Sequence, residues 1–148
     1  MNRTENRTKT AARLVLGLLF AVFGLDGFLG FMPQPPHAGD AGAFLGALAA
    51  TGYMFPLIKG TELIAGLLLL SNRALPFALV LLAPVVVNIL AFHTFLEPAT
   101  LAIPLVALAL GLYLAWTERA AYAPLFASRA SERRTTHTSG GHASATAA

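Results

Sequence analysis

Apolar residues gather into four runs along this chain, each bounded by polar or turn-forming residues. The first is "LVLGLLFAVFGLDGFLGFM", residues 14–32, and the second runs from Tyr53 to Ser71 within "GYMFPLIKGTELIAGLLLLSN". The third is "LPFALVLLAPVVVNILAFHTF", residues 75–95, and the fourth "TLAIPLVALALGLYLAWT", residues 100–117. Each approaches the ~20 residues that a helix needs to cross a hydrocarbon core of ~30 Å. The runs show no strand-like alternation, and isolated strands would leave backbone amides unpaired in lipid, so helices are predicted. The connections "SNRALP" and "LEPAT" are short enough to force antiparallel neighbours, with Pro76 and Pro98 where a helix begins. The longer link, "PQPPHAGDAGAFLGALAATG", predicts a Pro-rich turn. A short helix over about 41–51 follows it, N-capped by Asp40 and too short to span.

Composition names the solvent for these runs. Of 148 residues, 56% are hydrophobic and 11% charged, more apolar surface than a soluble domain of this size can hide. The predicted fold class is therefore all-α: an integral membrane antiparallel four-helix bundle with a short periplasmic surface helix between its first two spans. Arg3, Arg7, Lys9 and Arg13 precede the first span, Arg73 lies in the second connection, and Arg119, Arg129, Arg133 and Arg134 follow the last. The first and third connections carry neither Lys nor Arg. By the positive-inside rule, residues 1–13, the Arg73 turn and residues 118–148 are cytoplasmic, around a membrane domain over 14–117. The first run is long for a secretory leader and contains Asp26, which disfavours cleavage. Disorder is expected from about residue 128, with His137 and His142 solvated.

Against this background the charged residues inside the spans stand out. At ~1.5 Å rise per residue, Asp26, Lys59 and Asn88 come to roughly the same depth, Glu62 a turn lower and His93 about two turns higher. Charges in a bilayer are costly, so they turn inward and pair. Lys59 and Glu62, at i and i+3, share a helix face, and Asp26 can reach Lys59 from the neighbouring helix. Two carboxylates against one ammonium leave one acid to keep a proton or to lean on His93. That pattern supports two readings. One is a lock that fixes helix registry, and the other is a pocket in which Glu62, Asp26, Lys59 and His93 handle protons while Asn88, Glu62 and His93 contact a quinone.

Gly17 with Ala21, and Ala107 with Gly111 and Ala115, are spaced for close helix contacts. Pro84 and Pro104 are expected to bend the third and fourth spans, and Tyr53, Tyr113 and Trp116 to sit at the interfaces. The chain has no cysteine, which removes disulfides and thiol relays. With one histidine in the spans, no metal site or built-in haem is expected. No nucleotide loop or hydrolase motif is present in the sequence, and nucleic acid is not an expected partner.

The stretch "TGYMFPLIKGTELIAGLLLLSNRALPFALVLLAPVVVNILAFH", with "GLLFAVFGLDGFLGF" before it, resembles the DoxX family of small four-span bacterial membrane proteins. The resemblance runs from about Arg13 to Trp116. It rests on E-x-x-x-G-x-x-L-L at Glu62, Gly66, Leu69 and Leu70, and on the "NILAFH" close of the third span. It implies a bacterial inner-membrane protein and a quinone-linked redox or redox-stress subunit, with electrons from a soluble redox protein or another membrane subunit. A non-catalytic anchor or assembly subunit, and a small proton-coupled carrier or exporter working as a homo-oligomer, are the other functions open to such a chain. Span count also resembles vitamin K epoxide reductase, whose thiol chemistry a cysteine-free chain cannot perform.

Overall fold

The computed structural model describes residues 3–33 and 36–126, and among these every regular element is helical. The elements are α1 (Arg3–Leu29), α2 (Gly39–Ala50), α3 (Met54–Leu70), α4 (Leu75–Phe95), a 3-10 turn (Pro98–Thr100), α5 (Ala102–Thr117) and α6 (Arg119–Phe126). The contacts divide the chain after Glu118, so α6, a short helix containing Pro124, belongs to a separate unit. The tail expected to be disordered, with His137 and His142, lies outside the described residues.

Among the described residues two helices, α1 and α4, are long and apolar enough to cross a membrane, with mean hydropathies of 1.9 and 2.5. Helices α2 and α3 meet that test only as a pair, and they are bent by 92° at their junction. At 16 residues α5 is apolar but short, covering roughly 24 Å at ~1.5 Å per residue.

The boundaries follow local chemistry. Helix α1 begins well before the apolar run because polar residues do not end a helix, and Glu5 in its first turn favours the positive end of the dipole. It stops at Leu29, before the predicted limit, where Gly30 takes φ +60° and its N–H bonds the Asp26 carbonyl at 2.7 Å. Asp40 is not the cap of α2. That place belongs to Ala38, and Asp40 sits inside the first turn, where its charge still favours the dipole. Gly52, at φ +73°, supplies the left-handed step that lets α2 turn into α3. Helix α4 occupies the predicted 75–95 with Pro84 inside it. Pro104 falls in the first turn of α5, where no intrahelical partner for its N–H is lost, so it interrupts nothing.

Packing links α1 to α3, α3 to α4, α4 to α5 and α5 back to α1. The α1–α3 crossing is antiparallel and very close. A Cβ on Gly24 would stand 2.5 Å from the Leu63 nitrogen, one on Gly17 would stand 3.0 Å from Leu69 Cβ, and one on Gly66 would strike the backbone of Ala21. Small residues let the backbones touch, which lipid-exposed helices need because burial alone gives them little preference among partners. Gly111, expected to make a similar contact, faces open space instead, and of its two spaced neighbours Ala107 is buried. The core lies toward the end of the helices remote from α2 and includes Leu16, Leu69, Leu79, Leu82 and Leu114. At that end the Arg13 guanidinium donates to the carbonyls of Leu69 and, at 3.0 Å, Leu70, the last turn of α3. Lys9 also pairs with Glu118 there.

Candidate functional site

Away from that sealed end, the helices enclose a partly open cavity of about 300 Å³. Every contributing helix gives its α2-proximal half. Phe20 and Phe23 come from α1, Phe55, Ile58, Lys59 and Glu62 from α3, Asn88, Ile89, Phe92 and His93 from α4, and Ile103, Pro104 and Ala107 from α5. Phe44, Leu45 and Leu48 of α2 complete the wall, together with His37 before it and Thr100 of the 3-10 turn.

Glu62 is 2% exposed, and its Oε2 accepts a hydrogen bond from Lys59 Nζ at 2.9 Å. The i, i+3 spacing on α3 brings the two side chains to one face. Lys59 is steered from behind by α1: its stem lies where a Cβ of Gly27 would be, so a larger residue there would displace it. Nearer α2, His93 Nδ1 lies 2.7 Å from Thr100 Oγ1, and the His93 ring meets Phe92 edge to face at 5.1 Å. Asn88 is exposed and borders the same space.

Of the residues singled out in the sequence, Lys59, Glu62, Asn88 and His93 thus share one cavity. Asp26 does not line it. Buried at 6% exposure, it accepts the Met32 backbone N–H on Oδ1 at 2.7 Å, fixing the chain as it leaves α1. Of the two alternatives for the surplus acid, keeping a proton or leaning on His93, the second meets a different arrangement, since His93 Nδ1 is paired with the Thr100 hydroxyl.

Two residues were missed. His37 Nδ1 lies 3.0 Å from Glu97 Oε1, joining the link before α2 to the turn after α4 across sixty residues of sequence. Phe92 sits beside His37, ring to ring at 6.3 Å, and also meets Phe44 of α2 at 5.8 Å. The available signal was that the two connections lacking Lys and Arg still carry ionisable residues close to helix ends, His37 and Asp40 in one and Glu97 in the other.

Chemically, the cavity offers an ammonium, an amide, two imidazoles and a hydroxyl as hydrogen-bonding groups, one buried carboxyl, and a surround of phenyl rings. No group of three or more His, Cys, Asp or Glu that could hold a metal occurs among the described residues. No family model matches the chain, and neither a curated protein nor a solved structure resembles it significantly.

Proposed function

We propose that this chain is a DoxX-like bacterial inner-membrane protein of four antiparallel spans, with both termini cytoplasmic and α2 on the periplasmic side. In this reading α3 and α5 cross together with α1 and α4. The cavity holds the head of a quinone, and a soluble redox protein or second membrane subunit supplies electrons. The observation that carries this reading is the cavity itself, in which Glu62 is buried against Lys59 with Asn88 and His93 nearby.

Its size, about 300 Å³, lies at the lower end of ligand sites, enough for a ring whose apolar tail runs outward between helices. Two carbonyls on a flat ring need donors at separated points, and Lys59 and Asn88 or His93 provide them. The phenyl rings of Phe20, Phe23, Phe44, Phe55 and Phe92 suit its faces and edges. A bound quinone supplies two-electron, two-proton chemistry. The residues of this chain position the ring and keep protons at hand on Lys59, Glu62 and His93.

The contact between Lys59 and Glu62 favours a second reading, a non-catalytic anchor in which the pair only fastens the bundle. Purification in mild detergent followed by lipid extraction separates the two. Wild type should retain quinone, and Glu62→Gln should stay folded yet lose it, as should the double replacement Lys59→Met with Glu62→Gln. Wild-type protein free of quinone, or a double replacement that binds it normally, would sink the quinone reading.

A further inference from the structure

The ionisable and polar groups of the cavity form a graded series along the bundle. Glu62 and Lys59 are innermost, His93 with Thr100 follows, and His37 with Glu97 joins the two connections on the α2 side. At the opposite end the described polar groups, Arg13 and the Lys9–Glu118 pair among them, lie beyond a layer of packed leucines rather than along the cavity. There Leu16, Leu69, Leu79, Leu82 and Leu114 are packed at 8% exposure or less, and Arg13 covers the last carbonyls of α3. A membrane-embedded carboxyl can exchange protons only where polar groups or water lead to it.

We propose that the cavity is reached from one face of the membrane only, the face that carries α2, and that His37 and Glu97 form the gate through which water, protons and a polar ligand head arrive at Glu62. This rests on the reading of the cavity as a working site, though not on the identity of its ligand. Three features make α2 the movable wall over that approach. Its residues Phe44, Leu45 and Leu48 line the cavity. It is flanked by Gly39 and Gly52, both at positive φ and both with nothing within 4 Å of a would-be Cβ. What fastens its leading end to the rest is the His37–Glu97 pair, supported by Phe92 lying between His37 and Phe44. Each partner is only 25% exposed, so the bond is sheltered without being sealed.

The native absence of cysteine makes the test direct. Asn88→Cys, and separately Ala107→Cys in case the first variant folds poorly, are treated in sealed vesicles of either orientation with a membrane-impermeant cationic methanethiosulfonate. Asn6→Cys, at the basic end of α1, reports the opposite face. The cavity cysteines should react only in the orientation in which Asn6→Cys does not. Reaction from the same face as Asn6→Cys, or from neither face, overturns one-sided access. Adding His37→Ala or Glu97→Ala should speed cavity labelling about fivefold without changing its side, and Glu97→Gln, which keeps a hydrogen-bond acceptor, should restore most of the slow rate. Unchanged rates overturn the gate. Because labelling needs no quinone, a quinone-free preparation that labels from the α2 face alone would reject the proposed ligand and keep the access route.

Discussion

Adding a single methyl group at the α1–α3 crossing should have a large effect on stability. In Gly24→Ala, the new Cβ lies 2.5 Å from the Leu63 nitrogen and 2.9 Å from both Leu63 Cα and the Lys59 carbonyl oxygen. Ordinary contact for such atoms begins nearer ~3.5 Å, so the helices must part by somewhat less than ~1 Å. The opposing atoms are backbone and cannot swing aside as a side chain would. A gap of that size forfeits a quarter to a half of each contact along the crossing, and overpacking of this kind costs about 1–3 kcal/mol. Alanine recovers up to ~1 kcal/mol through its better helix propensity, leaving a net loss on the order of 1–2 kcal/mol. Gly111→Ala carries the same propensity gain and no clash, because nothing lies within 4 Å of its would-be Cβ. The two variants, identical in chemistry, should therefore melt about 5–10 °C apart in one detergent, Gly24→Ala below wild type and Gly111→Ala at or above it. Thermal unfolding followed by circular dichroism reads this directly. Equal melting temperatures would show that α1 and α3 do not approach at Gly24, and the placement of Lys59 behind Gly27 would fall with them.

Two further predictions concern the opposite end and the topology. Arg13→Ala removes the donor to the Leu69 and Leu70 carbonyls and should lower stability by about 1–3 kcal/mol, with Arg13→Lys recovering part of it; equal melting of all three proteins would exclude this contact. Reporter fusions after Arg73 and Phe126 should register as cytoplasmic and fusions near Asp40 and Pro98 as periplasmic; a periplasmic signal at Arg73 would overturn the four-span arrangement.

Hydropathy made the helical content legible, and at α4 it located both ends, since the "SNRALP" turn precedes the apolar run and "LEPAT" follows it. It misjudged α1, whose polar first turns are as helical as the rest and whose end is set by the left-handed Gly30. Depth counted along each helix placed Asp26 level with Lys59, and the packing of the Lys59 stem on neighbouring Gly27 agrees. What depth cannot supply is azimuth. That Asp26 accepts the Met32 amide, and that open space lies beside Gly111, are details set by helix rotation, which follows from packing that the sequence does not spell out. The His37–Glu97 contact was hidden for a related reason: both residues lie in connections, where no periodicity fixes a direction.

The Arg13 clasp also has a mechanical meaning. By joining α1 to the last turn of α3, it pins one end of a helix pair whose backbones Gly17, Gly24 and Gly66 already hold together along the crossing. Two helices tied at several levels resist bending and sliding better than either does alone, so the pair acts as a splint. Lys59, whose stem rests on Gly27, is carried on that stiff face.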